Sequence, residues 1–70
     1  MKTSRVLLCD MKSGSFLQSP DGWTRRAEAA YDFGYIAAAI SFARDWELSA
    51  IELVVAFEQP EYKLRVPIAA

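Results

Sequence analysis

The sequence predicts a small α+β protein with the element order β-β-α-α-β-(β) and a three- or four-stranded, mainly antiparallel sheet. Short apolar runs separated by turn residues stand near both ends of the chain, and an alanine-rich middle has helical spacing. Of the 70 residues, 53% are hydrophobic, which suits one core at this length. We therefore expect residues 1–70 to form a single domain with frayed ends near 1–4 and 69–70.

The first two strands are predicted to form a hairpin. Residues 5–11 are a short apolar run typical of a central strand, and residues 15–19 return as the second strand. Gly14 between them suits the φ > 0 position at the end of a three-residue loop. Pro20 and Gly22 end the second strand, because proline lacks a ladder donor and glycine permits a tight turn.

Helical spacing begins after this turn. Thr24 belongs to the residue types that cap helices, and it predicts the start of a first helix. Gly34 interrupts the pattern, so we expect it to separate the first helix from a second, longer one. The second helix has an apolar stripe of Ile36, Ala39, Ile40, Ala43 and Trp46. It ends over residues 47–50 without a glycine cap.

Residues 51–58 form the clearest strand pattern, with one apolar face and one mixed face. The apolar face carries Ile51, Leu53, Val55 and Phe57. A right-handed crossover gives the strand order 2-1-3-4 with the helices packed on one face of the sheet. The other face is then expected to be exposed, and it carries Glu52, Val54, Ala56 and Glu58.

Residues 63–68 alternate again after a four-residue turn, which predicts a fourth strand or an extended tail. This loop length sets Glu58 opposite Lys63 and keeps the lysine off the buried face. In that register Phe57 lies beside Leu64 on the core side. The edges of the predicted sheet are therefore its second and fourth strands.

Composition restricts the function. Eight Lys and Arg against nine Asp and Glu give a formal net charge of −1, whereas nucleic-acid binders usually have a basic excess. The chain has no histidine and one cysteine, so it lacks the usual general base, an intramolecular disulfide and a cysteine-based metal site. No phosphate-binding loop or nucleophile motif occurs. We expect a non-catalytic protein without cofactor or metal.

The remaining chemically active side chains are predicted to have structural roles. Cys9 lies inside an apolar run and is expected to be a small core residue rather than a reactive thiol. Four carboxylates are expected to face solvent, namely Asp10, Asp32, Glu52 and Glu58. The N-terminal apolar run is too short for a signal peptide or a membrane span, so we expect a cytoplasmic protein that does not bind membranes.

A candidate site lies at the joint between sheet and helices, where Trp23 precedes Arg25 and Arg26. Two arginines in the first turn of a helix oppose its dipole and need anionic partners. Ion pairs within the chain are one account, with Asp21, Glu28, Asp45 and Glu47 as the available carboxylates. The alternative is that Trp23, Arg25 and Arg26 bind an anionic ligand or nucleic acid.

Aromatic residues predict a protein-interaction module. One sheet face cannot easily bury all the rings of the helical region, so we expect Tyr35 and Trp46 to be exposed. Exposed aromatics are typical of protein contacts. The expected partner is another protein or a second copy in a homodimer, and strand addition along residues 16–18 is one route to it.

One spacing pattern covers nearly the whole chain: Phe16-Leu17-Gln18, Gly22-Trp23-Thr24, Ala30, Asp32-Phe33, Phe42-Ala43, Ile51-Glu52-Leu53-Val54, Phe57, Pro60, Tyr62, Arg65 and Pro67. It resembles a group of short bacterial proteins of unknown function. The resemblance implies the same fold and a bacterial origin, and it implies no activity. Members of the group commonly have Ser or Thr where this chain has Tyr35, at the predicted cap of the second helix.

Overall fold

The computed structural model describes residues 4–19, 21–57 and 63–68. Its elements are β1 (Ser4–Asp10), β2 (Phe16–Ser19), β3 (Gly22–Thr24), a 3-10 turn (Ala27–Ala29), α1 (Ile36–Asp45), β4 (Ile51–Phe57) and β5 (Lys63–Ile68). All neighbouring strands are antiparallel, in the order β3-β2-β1-β4-β5. The chain is therefore a small α+β fold. The predicted frayed residues 1–3 and 69–70 lie outside the described residues, and Ser4 begins β1.

The loop between β1 and β2 has five residues, 11–15, two more than the sequence predicts. The Asp10 N–H donates to the carbonyl oxygen of Ser15 at 2.7 Å, and the Asp10 carbonyl accepts from the Gly14 N–H at 2.7 Å. The carboxylate of Asp10 also accepts two hydrogen bonds from within the loop. Gly14 has φ 78°, which only glycine adopts without strain, as the sequence predicts.

The first predicted helix is wrong. Thr24 ends strand β3 instead of capping a helix, and the chain continues as a 3-10 turn. Trp23 pairs with Leu17 across the β2–β3 ladder, so a tight reversal and cross-strand contacts outweigh the alanine spacing that follows. Because β3 covers β2, the strand at residues 16–18 is not an edge, and strand addition there is blocked.

Both faces of the sheet are covered, whereas the sequence predicts one covered face. On the helix face, α1 packs across β1 and β4 over a core of Val6, Leu8, Leu17, Ala39, Ala43, Ile51, Leu53 and Val55. On the opposite face, called the turn face, a second core contains Leu7, Cys9, Phe16, Ala30 and Val54. Val54 is only 1% exposed, so its expected exposure is wrong. The reason is that Ala27 and Ala30 of the turn region pack over it.

Arg5 holds the 3-10 turn on the turn face. Its guanidinium donates from Nη1 to the carbonyl of Ala27 at 2.9 Å and from Nη2 to the carbonyl of Ala30 at 2.8 Å. Both are charge-assisted hydrogen bonds. The Ala27 carbonyl also accepts from the Ala30 N–H at 3.1 Å, whereas the Ala30 carbonyl is one that a longer helix would satisfy itself. A side chain on β1 thus completes a turn that is too short to be stable alone.

The chain passes from the turn face to the helix face between β1 and β2. These strands pair at Cys9 and Phe16 and then diverge. Residues 31–33, called the crossing segment, fill the gap. The first and last N–H groups of the crossing segment donate to the carbonyls of Leu17 and Val6, each at 2.9 Å. The segment therefore replaces the ladder bonds that the diverging strands lose.

Asp32 anchors the crossing segment. Its Oδ1 accepts hydrogen bonds from the N–H groups of Val6 and Gly34, both at 2.9 Å. Gly34 has φ 84°, and it separates the turn region from α1, which begins at Ile36. The predicted break at Gly34 is therefore confirmed. It separates the 3-10 turn from α1, whereas the sequence predicts that it separates two helices.

The predicted register of the last two strands is wrong by two residues. Lys63 lies opposite Ala56, and Leu64 lies opposite Val55. A shift of two residues leaves every side chain on its original face of the sheet, so the alternation that guided the prediction cannot detect it. The predicted partner Glu58 and the turn residues 59–62 lie outside the described residues.

The C-terminus of α1 has a Schellman motif in which Glu47 occupies the position usually taken by glycine. Glu47 has φ 53°. The N–H of Leu48 donates to the Ala43 carbonyl at 2.9 Å, and that of Glu47 donates to the Arg44 carbonyl at 3.1 Å. The left-handed conformation costs a residue with a side chain about 1 kcal/mol or more. The helix therefore ends without a glycine cap, as the sequence predicts, and Glu47 adopts the strained left-handed conformation in its place.

We expect Glu47→Gly to raise the free energy of unfolding by about 1 kcal/mol, because glycine adopts this conformation freely. Loss of a negative charge at the helix C-terminus acts in the same direction. Urea denaturation of both proteins measures the change. The control Arg44→Gly, inside the helix, should lower stability by about 1 kcal/mol. If the Glu47→Gly protein were no more stable than the wild type, the left-handed conformation of Glu47 would not be strained.

Candidate functional site

The structure separates the three residues of the predicted anion site. Trp23 lies opposite Leu17, so its side chain is on the helix face, where it is 40% exposed. Arg26 faces the 3-10 turn on the other side, where its Nε donates to Oε2 of Glu28 at 3.2 Å. Arg25 is exposed and makes no hydrogen bond or ion pair with any described residue.

The basis for an anion site at this joint is absent. No α-helix begins at Thr24, so no helix dipole collects an anion there. Of the four predicted carboxylate partners, Glu28 is the one that pairs with an arginine of the joint. The pKa of Glu28 is lowered by a hydrogen bond from its own backbone N–H and by the hydrogen bond from Arg26. We therefore do not propose an anion site from these residues.

Chemically active groups are occupied in structural contacts. Cys9 is 3% exposed in the turn-face core, and burial raises the pKa of its thiol, so it is protonated at neutral pH. Glu52 accepts a hydrogen bond from Nη1 of Arg65 at 2.8 Å. Within residues 4–19, 21–57 and 63–68, no three His, Cys, Asp or Glu side chains lie close enough to hold a metal ion.

A row of aromatic rings runs along the flank of α1 that faces β2. Tyr31 meets Phe33 edge-on at 4.9 Å, Phe33 lies 5.4 Å from Phe42, and Phe42 stacks on Trp46 at 5.4 Å. The two outer rings are exposed, Tyr31 by 53% and Trp46 by 54%. With Leu17 of β2, the rings of Tyr31, Phe33 and Phe42 line an open groove of about 590 Å³.

An aliphatic surface lies on the opposite flank of α1. Leu64 and Val66 of β5 are 51% and 43% exposed, although they are on the helix face. Phe57 at the end of β4 is 44% exposed. Ile36 is 46% exposed, and the turn of about 100° per residue places it on the side of α1 away from Phe42. We call Ile36, Phe57, Leu64 and Val66 the aliphatic flank.

Exposed apolar side chains are concentrated on one side of the molecule. Of the nine large ones in the described part of the chain, only Met11, in the β1–β2 loop, lies away from the helix face and α1. Tyr35 and Trp46, the two aromatics expected at the surface, are 78% and 54% exposed at the N-cap and C-cap of α1. The turn face instead carries charged residues, which are Arg5, Arg26, Glu28, Glu52 and Arg65.

Neither sheet edge suits strand addition. β3 has three residues, a length that offers little backbone for pairing. On β5, the direction of the ladder bonds follows from Val6, whose N–H and carbonyl point to the crossing segment and thus away from β4. Alternation then points Leu64 toward β4, while Arg65 and Pro67 face outward. Because Pro67 lacks an N–H, a partner strand finds an incomplete edge.

The aliphatic flank is the surface that the sequence pattern does not reveal. Leu64 and Val66 alternate with polar residues and are therefore assigned to the core when two helices are expected above the sheet. With one α-helix over β1 and β4, the apolar side of β5 is left open. The surface becomes evident only from the observed numbers of strands and helices together, since five strands are wider than one helix covers.

Comparisons with protein families, with curated proteins and with solved structures found no match to this chain. The resemblance to short bacterial proteins stays a prediction. Among the described residues, no helix has the length and apolar character needed to cross a bilayer.

Proposed function

We propose that this chain is a small non-catalytic protein-interaction module that binds its partner through the helix face. The observation that carries the proposal is the concentration of exposed apolar side chains on and beside that face. Eight side chains that are about half exposed, at roughly 200 Å² each, present on the order of 800 Å². Each partner in a standard protein interface contributes a similar area.

The use of the polar groups supports a non-catalytic role. Asp32 binds backbone N–H groups, Glu52 pairs with Arg65, and Glu28 pairs with Arg26. Cys9 is enclosed and protonated, which suits a core residue better than a nucleophile. A single unpaired thiol is also typical of proteins in a reducing cytoplasm, which is the location that we infer.

Site-specific photo-crosslinking tests the proposed surface. We expect p-benzoylphenylalanine in place of Leu64 to form covalent adducts with protein on irradiation in the native cells. The same residue in place of Glu28, whose side chain is 70% exposed on the turn face, is the control and should give at least about tenfold fewer adducts. Equal yields at the two positions, or no adduct from position 64, would contradict the proposal.

A further inference from the structure

We infer that the partner is a protein with a basic segment, and that this segment lies in the groove beside α1. An arginine of the segment lies against Trp46, and an apolar side chain lies against Phe33 and Phe42. This inference rests on the proposed function and names the chemistry of the partner. It concerns the flank of α1 that faces β2.

The groove presents an apolar surface of a size that suits part of a peptide. Its volume of about 590 Å³ lies within the range of about 300–1,000 Å³ that is usual for ligand pockets. Aromatic rings line it, and Ala38 adds only a methyl group on the helix side. Gln18 and Ser19 add polar side chains that can hydrogen-bond to a peptide backbone. The groove therefore accepts an apolar side chain together with the backbone that carries it.

The charges beside the groove are negative. Ala38 and Phe42 line the groove at a spacing of four, and Asp45 follows three residues later on the same flank of α1. Ser19 also lines the groove, and its Oγ donates to Oδ1 of Asp21 at 3.3 Å. None of the described residues that line the groove is a lysine or an arginine. The groove therefore complements a positively charged segment.

The C-terminal end of α1 lacks the positive charge that helix C-termini favour. Its free carbonyl groups carry partial negative charge, and the exposed Asp45 and Glu47 add two carboxylates there. Neither carboxylate makes an ion pair with any described residue. Arg44 is the one cation of α1, and its spacing of four from Ile40 places it on the flank away from the groove. Negative charge at this end is thus left for a cation of the partner to compensate.

Trp46 provides an aromatic platform at the same end. It is the C-cap residue of α1, and one face of its indole stacks on Phe42 with the ring planes inclined by 19°. Because Trp46 is 54% exposed, its other face is open to solvent. A guanidinium binds well against the face of an indole, and the carboxylate of the neighbouring Asp45 adds to the attraction. The platform and the carboxylate together favour an arginine over an apolar side chain at this position.

The distance between the two parts of the site fits a short extended segment. Ala38 and Trp46 are eight residues apart along the helix, which corresponds to about 12 Å. An extended backbone covers this distance in about four residues, at roughly 3.3 Å each. We therefore expect the arginine and the apolar residue to lie about three or four positions apart in the partner.

Selection of a random peptide library, displayed on phage, against the full chain tests the inference. We expect arginine to be at least about threefold more frequent in the selected peptides than in the unselected library, with an apolar residue three or four positions away. Asp45→Lys should remove this enrichment, and it favours the dipole of its own helix, so the fold is kept. Glu28→Lys makes the same change of charge on the turn face, where the side chain is 70% exposed, and should leave the enrichment unchanged.

The affinity of a synthetic peptide with the selected sequence tests the role of the indole. NMR titration of the isotope-labelled chain measures the dissociation constant. Trp46→Leu keeps an apolar side chain but removes the aromatic face, and it should raise this constant at least about threefold. Trp46→Phe keeps an aromatic face and should raise it by about twofold or less. Binding to the wild type should also weaken at least about threefold between 20 mM and 500 mM NaCl, because exposed charges are screened by salt.

The outcomes distinguish this inference from the proposed function. Selected peptides without an excess of arginine, or equal enrichment on Asp45→Lys and Glu28→Lys, would overturn the basic segment. Equal dissociation constants for Trp46→Leu and Trp46→Phe would overturn the contact of the arginine with the indole. If position 64 still forms adducts in the cross-linking experiment, the interaction module stands with a partner of different chemistry. If it forms none, the proposed function fails as well.

Discussion

Val54→Asp should leave this chain without a cooperative thermal transition at neutral pH. Val54 is 1% exposed in the turn-face core, among Leu7, Cys9, Phe16 and Ala30. An unpaired carboxylate buried there costs several kcal/mol, and the whole stability of a domain of this size is on the order of 5 kcal/mol. Circular dichroism during heating measures the transition.

A second aspartate variant serves as the control for this result. Val66→Asp changes the same residue type on the neighbouring strand, where the side chain is 43% exposed. In dilute protein this variant should lose no more than about 1 kcal/mol. If Val54→Asp melted like the wild type, the turn face would be open to solvent at this position, as the sequence pattern predicts.

Ala39→Leu should lower the free energy of unfolding by about 3 kcal/mol, because a larger side chain has no room between α1 and the sheet. Ala39 is 0% exposed and belongs to the helix-face core. Ala37→Leu makes the same change on the exposed side of the same helix and should shift stability by about 0.5 kcal/mol or less. Urea denaturation of dilute protein measures both. Equal effects would show that α1 does not pack closely on the strands.

The elements with a long, regular period were predictable. The alternation over residues 51–58 and the spacing from Ile36 onward identify β4 and α1. The apolar stripe predicted for α1 is only partly the face that packs on the sheet. Ala39 and Ala43 face the sheet, while Ile36 is nearly half exposed. Small residues let the helix approach closely, and this packing distance decides the orientation more than side-chain size does.

The short elements were not predictable from period. β3 has three residues, too few to show alternation, and it begins at a glycine. The 3-10 turn is recognised only by where Ala27 and Ala30 pack, which depends on Arg5 from a distant strand. The strand register also escapes the pattern, because the alternation is the same after a shift of two residues.

The exposure of surface residues was predictable only where it did not depend on the short elements. Exposure of Tyr35 and Trp46 could be expected because the rings outnumber the places on one sheet face. The site at Trp23 and Arg25 depended on a helix start that the chain does not make. The aliphatic flank requires the number of strands and the number of helices together, and Leu64 alone does not reveal it.

The crossing segment makes the two cores one cooperative unit. Its N–H groups bond to Leu17 and Val6, while Asp32 bonds to β1 and to its own loop. Opening either face of the sheet therefore breaks bonds that the other face also depends on, so neither core can unfold separately as a smaller foldon. We therefore expect the two hydrophobic cores to unfold in a single all-or-none transition.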